Sequence, residues 1–150
     1  MKKLLFVLII PIVLGLSAST CERTECCVIP PCSDTPTLTG TWKLEAYLTS
    51  GILESKPANV DKDVIFTLKD DEKTGTIAGN TFVNTVEGNY DLLGDCRIRV
   101  KSFGGTKVGE PAWSEKAWLV SGTEYYYERF EGTLKIHRNQ GKETMIFKKE

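Results

Sequence analysis

The chain carries one histidine, His137, and five cysteines, Cys21, Cys26, Cys27, Cys32 and Cys96. A single imidazole removes most zinc-enzyme schemes, which draw on two or three histidines. A Cys96–His137 thiol–imidazole pair needs both side chains on one side of the fold. In Thr133–Arg138 the apolar residues are Leu134 and Ile136, so His137 is expected to point outward. Cys96 shares parity with Ile98 and Val100 and is expected to face inward. The pair is therefore not expected. Asp61, Asp63, Asp70, Asp71 and Glu72 supply oxygens, but without the regular spacing and turn glycine of a calcium loop. Asp70–Lys73 reads as a solvated turn. No catalytic residue, metal or cofactor is assigned, and the chain is not expected to be an enzyme.

The cysteines have another use. Lys2 and Lys3 precede an apolar run from Leu4 to Leu16, followed by the small residues Ser17, Ala18, Ser19 and Thr20 and then Cys21. This is the layout of a secretory signal peptide over residues 1–20. The run is shorter than the roughly 20 residues a membrane-crossing helix needs. A cysteine directly after the small residues is a lipidation site, and acyl chains on Cys21 would hold the domain to a membrane. Ala18-Ser19-Thr20-Cys21 departs from the usual lipobox at its first and third positions, and ordinary cleavage within Ser17–Thr20 is the rival. Glu22 replaces the aspartate that commonly retains lipoproteins in the inner membrane, so the expected location is the outer membrane.

Residues 21–39 contain Pro30, Pro31 and Pro36 among serines and threonines and read as a flexible tether. With Cys21 lipidated, Cys26, Cys27, Cys32 and Cys96 allow three disulfide pairings. Cys26 and Cys27 are adjacent, so a bond between them is strained. The favoured pairing joins one of them to Cys32, and Cys96 can take the other, stapling the tether to the domain. A thiolate metal site on Cys26, Cys27 and Cys32 has no histidine spacing to support it and is disfavoured in an oxidising compartment.

These residues need a scaffold, and the remainder alternates. Thr41–Leu48 places Trp42, Leu44, Ala46 and Leu48 on one face, and Asp63–Lys69 does so with Val64, Phe66 and Leu68. Thr74–Ala78, Val86–Leu92, the stretch from Cys96 to Val100, Glu124–Phe130, Thr133–Arg138 and Glu143–Lys148 continue the pattern, with short glycine-bearing gaps. About eight strands at meander spacing predict a mainly β fold over residues 40–150: a curled antiparallel sheet or half-open barrel. Pro111–Ser121 breaks the pattern. Its spacing predicts one short helix that packs Trp113, Ala117 and Val120 on the sheet and plugs a mouth of the half-barrel. Tyr125, Tyr126 and Tyr127 place aromatics on both faces of one strand, so some are core and at least one lies outside.

Gly79–Tyr90, GNTFVNTVEGNY, is followed by Gly105-Thr106-Lys107, the helix, and strands ending in Ile146-Phe147, and Gly40-Thr41-Trp42 opens the domain. In that order these segments resemble the META domain of HslJ-like heat-shock lipoproteins, over roughly residues 39–148. The resemblance places Asn84, Val86, Gly88 and Tyr90 in the first motif and Thr106 and Lys107 in the second. It implies an envelope lipoprotein tied to stress tolerance, with no established reaction. Val83 and the Gly109-Glu110 region stand where many members have cysteines, and Val86 replaces the usual aromatic.

The chain has 150 residues with 19 Lys+Arg against 20 Asp+Glu. Two of the lysines and no acid lie in the first twenty residues, which leaves 17 bases against 20 acids in the remainder. No basic stripe exists, so nucleic acid is not an expected partner. The expected function is a non-catalytic exported lipoprotein that supports envelope integrity or stress tolerance, with the membrane and an unidentified envelope protein as partners. The alternative is a lipocalin-like carrier of a small apolar ligand, which requires an open interior cavity.

Overall fold

The computed structural model describes residues 31–150. Among the described residues nine strands follow in chain order: β1 (Gly40–Thr49), β2 (Ile52–Ser55), β3 (Ile65–Asp70), β4 (Thr74–Asn80), β5 (Thr85–Leu93), β6 (Arg97–Gly105), β7 (Glu124–Phe130), β8 (Thr133–Arg138) and β9 (Glu143–Lys149). All pairings between strands are antiparallel. The sheet order is β2-β1-β3-β4-β5-β6-β7-β8-β9, and β1 also pairs with β9 from Trp42↔Lys149 to Thr49↔Glu143. That last pairing closes an eight-stranded barrel and leaves β2 as an extra strand outside the ring. The mainly β reading stands, and the half-open form is replaced by closure, which removes the unpaired edges an open sheet would expose.

Alternation predicts the inward faces of most strands, and bulges correct the rest. Val64, Phe66 and Leu68 are 0–4% exposed, as are Leu134 and Ile136. In β1 the register against β9 shifts between Leu44 and Ala46. Glu45 is the extra residue, so Tyr47 (0% exposed) joins the core where simple parity chose Leu48, while Ala46 stays buried at 6%. A second shift lies between Asn89 and Tyr90. The interior is one apolar cluster in which Trp42, Leu44, Tyr47, Met145 and Phe147 are 0% exposed.

Chain entering from the N-terminal side stoppers one end. Residues 31–39 lack regular structure, as their prolines and hydroxyl residues imply, but they are packed on the barrel. Leu38 is 1% exposed, its N–H donates to Asp70 Oδ2 (2.8 Å), and its carbonyl accepts from Trp42 Nε1 (2.8 Å). Arg129 of β7 accepts at its carbonyl from Asp34 N (3.1 Å) and donates from its N–H to the Cys32 carbonyl (2.7 Å). Its guanidinium donates to Thr35 Oγ1 and the Thr37 carbonyl and lies 5.4 Å from the Trp42 ring centre. Residues 31–39, expected to belong to a flexible tether, are thus packed with the barrel in one compact unit, Pro31–Glu150.

Cys32 is bonded to Cys96, with Cα atoms 5.7 Å apart. This replaces the favoured Cys32 bond to Cys26 or Cys27 and keeps the staple between the N-terminal segment and the domain. Cys32 is laid beside Arg129, while Cys96 sits in the β5–β6 turn and accepts from the Tyr127 N–H (2.8 Å). Cys96 is thus a turn residue with φ +60° and not an inward strand residue. Cys21, Cys26 and Cys27 lie outside the described residues.

The opposite end is closed by chain between β6 and β7. The expected helix over 111–121 shrinks to one turn, α1 (Ala112–Glu115). Trp113 stacks on Phe82 (centroids 5.3 Å apart) and meets the Tyr47 ring edgewise, and Tyr47 Oη donates to the Trp113 carbonyl (2.9 Å). Past the turn, the Arg138 guanidinium takes the Lys116 carbonyl, and the Val120 N–H donates to Tyr125 Oη (2.8 Å). Tertiary partners claim the groups a longer helix would use. Trp113, Ala117 and Leu119 are buried, whereas Val120 is 59% exposed, a correction to its expected inward packing.

Candidate functional site

The best-built polar site lies at the α1 end, where the loops after β4 and β6 meet. Asn84, 2% exposed, is its hub. Asn84 Oδ1 accepts from Thr106 Oγ1 (3.0 Å) and Val108 N (2.7 Å). Asn84 Nδ2 donates to the Val108 carbonyl (2.9 Å) and to Glu110 Oε2. An amide has two donor and two acceptor positions of this kind, and all are filled. Thr106 Oγ1 also accepts from Thr85 N (3.1 Å), tying β5 to the end of β6.

Glu110 completes the cluster and was not singled out as a site residue by its sequence. Its carboxylate accepts from Thr81 Oγ1 (2.8 Å), Asn84 Nδ2 and Ser114 Oγ. Burial pushes the Glu110 carboxyl up, but the hydrogen bonds from Ser114, Thr81 and Asn84 together outweigh it and hold the group below the usual carboxylate range. The sequence signal is slight: Glu110 stands four residues before Ser114, on either side of the α1 start. A groove of 460 Å³ runs past this cluster, lined by Asn84, Lys107, Val108, Gly109, Glu110, Glu115 and Trp118. Lys107 is exposed on its rim.

The two motifs are thus partly brought together. Asn84 and Thr106 touch. Val86 (4% exposed) and Tyr90 (1%) are barrel core. Tyr90 Oη donates to Asp70 Oδ2 (2.8 Å) at the other end of the barrel, and burial with the Asp70 carboxylate drives its phenol well above the ordinary value. Gly88 is placed against β6: a Cβ there would approach the Ser102 carbonyl oxygen closer than 3.0 Å and lie 3.2 Å from Phe103 Cα. Each motif residue other than Lys107 spends its capacity inside the fold.

A second cluster joins a hydroxyl, an imidazole and a carboxylate on the outer face of β7–β9. His137 Nδ1 is 2.9 Å from Thr144 Oγ1, and His137 Nε2 is 3.3 Å from Glu128 Oε1. Glu128 Oε2 is also 2.9 Å from Lys135 Nζ. The order imitates a nucleophile–base–orienter triad. It is built differently from one. Thr144 is 5% exposed, its side chain is β-branched, and its strand is paired on both sides, with β8 and β1, so the backbone N–H groups around it belong to the ladder and are not aimed at a developing oxyanion. The Cys96 thiol is consumed by its disulfide, so it cannot pair with His137. Among the described residues no group of three or more His, Cys, Asp or Glu is placed to hold a metal ion.

Comparison with protein-family models, with curated proteins and with solved structures finds no match for this chain.

Proposed function

We propose that the protein is a non-catalytic exported lipoprotein of the bacterial envelope, META-like in character. Lipid on Cys21 anchors it, on the outer membrane by the Glu22 criterion, and its barrel contacts other envelope proteins in support of envelope integrity under stress. The observation that carries this reading is the filled interior, stoppered by Leu38 at one end and by Trp113 at the other. A container needs vacant volume, whereas a contact module needs a rigid body and a fixed point of attachment. The Cys32–Cys96 bond and the Arg129 contacts supply that attachment at the end where the N-terminal chain arrives.

The carrier alternative draws on one atom. Among the described residues Trp113 Nε1 is the buried side-chain donor without a hydrogen-bond partner, and a bound acceptor would satisfy it. Fractionation tests the main reading. The parent chain is expected in the membrane fraction and Cys21→Ser in the soluble envelope fraction. A Cys21→Ser protein that stays with membranes would show that the anchor is something else.

A further inference from the structure

Strand β2 lies outside the closed ring and, among the described residues, pairs only with β1. All four of its residues are exposed, including Ile52 at 72% and Leu53 at 59%. Ser50 and Gly51, at φ +49° and +85°, form a two-residue hairpin turn of the I′ kind, which makes Thr49↔Ile52 the closing hydrogen-bonded pair. The Lys56 N–H donating to the Glu45 carbonyl (3.1 Å) continues that alternation. Residues 52, 54 and 56 therefore turn their backbone groups to β1. Leu53 and Ser55 turn theirs away, to an edge that no strand of the barrel covers.

We infer that this edge pairs antiparallel with the β2 edge of a second copy of the chain, with Leu53 opposite Leu53. The register is self-complementary. A residue on the two-fold must give and take two identical hydrogen bonds, and Leu53 has both its N–H and its C=O facing outward. Leu53 lies opposite Leu48 within the hairpin. Pairing two copies thus sets Leu48, Leu53, Leu53 and Leu48 in one cross-strand row, the unit that stabilises a sheet. Ile52 then faces the other copy's Glu54, whose carboxylate already has Lys116 Nζ at 2.6 Å, so no like charges meet. Four exposed residues on each side cover far less than the roughly 1,200 Å² of a stable interface, so the dimer is weak in dilute solution. Confinement to a membrane raises the effective concentration and favours it. This deepens the contact-module reading by naming a partner, and its chemistry does not depend on the lipid.

The test is register-specific cross-linking of the full chain in membranes, in a Cys26→Ser, Cys27→Ser background that serves as the baseline. Directly opposed residues of a hydrogen-bonded pair have Cα atoms about 5.5 Å apart, within disulfide reach. Leu53→Cys should give a dimer on mild oxidation. Ile52→Cys, offset by two residues to roughly 8 Å, should give at least about fivefold less. In sedimentation of the detergent-extracted chain, Leu53→Lys should weaken association at least about tenfold, since two like charges would then face each other. Leu53 is exposed, and an unchanged melting temperature for each variant confirms that folding is intact. Equal cross-linking of Leu53→Cys and Ile52→Cys, or none at the dimer mass, overturns the inference. A Leu53→Cys adduct at another mass also overturns self-pairing while leaving the contact-module reading in place.

Discussion

Gly88 is a place where a single methyl group should be felt across two strands. β5 and β6 run so close there that an added Cβ would drive into the Ser102 carbonyl oxygen and press on Phe103 Cα and Cδ2, both at 3.2 Å. The obstacle is backbone, so no rotamer change relieves it. The φ of Gly88 lies outside the left-handed region, which makes the cost steric and not a matter of glycine's conformational freedom. Overpacking of this kind costs about 1–3 kcal/mol. For a domain of this size each kcal/mol is worth roughly 4 °C, so Gly88→Val should lower the melting temperature by roughly 4–12 °C. Gly88→Ala should show most of the same loss, because the clash begins at Cβ. Gly94 is the control: nothing lies within 4 Å of its would-be Cβ and its φ is ordinary, so Gly94→Asn should shift the melting temperature by no more than about 2 °C. Thermal unfolding by circular dichroism, with the disulfide intact, reads all four proteins. A Gly88→Val protein that melts with the parent would refute the packing account and leave the strand free for a binding role.

Replacing Cys32 and Cys96 together by serine opens a link between residues 64 apart in sequence, and the chain-entropy account puts the loss at about 4 kcal/mol. Denaturant unfolding reads it, and a loss under about 1 kcal/mol would mean that the Arg129 and Asp70 contacts alone hold the N-terminal segment. Glu110 has a folded-state pKa below its ordinary value of 4.5, so its ionised form adds stability that is complete above about pH 4.5 and disappears as the pH falls through the lowered value. Glu110→Gln should flatten that part of the acid unfolding profile, and an unchanged profile would assign the pH dependence to other carboxylates.

Much of this architecture could be read from alternation because the barrel has one wet and one dry side. Glu124–Phe130 and Thr133–Arg138 are regular, lie between tight turns and coincide with β7 and β8. The misreadings fall where a local event breaks the period. The bulge at Glu45 buries Tyr47 in place of Leu48, and no pattern of hydrophobicity announces it. Closure itself rests on β1 meeting β9, a contact between the two ends of the domain that carries no local signal. Ile52–Ser55 is too short to alternate, although Ser50-Gly51 before it is hairpin chemistry. Pro111–Ser121 is apolar on too many sides to define one helical face, and the side chains of Tyr125 and Arg138 decide its path. At the candidate site, Asn84 and Thr106 were visible as motif residues. Glu110 was not, because its importance comes from three donors that are separated from it in sequence by 29, 26 and 4 residues.

The claim that the barrel is a stoppered contact body and not a container is tested most directly by titrating the purified full chain with a fluorescent alkyl carboxylate, reading probe emission and tryptophan quenching together. The account predicts no saturable binding, since Leu38 and Trp113 close the two ends over an interior already filled by Trp42, Phe66, Tyr90 and Phe147. Saturable one-to-one binding that is abolished by Trp113→Phe would contradict it and move the protein to the carriers.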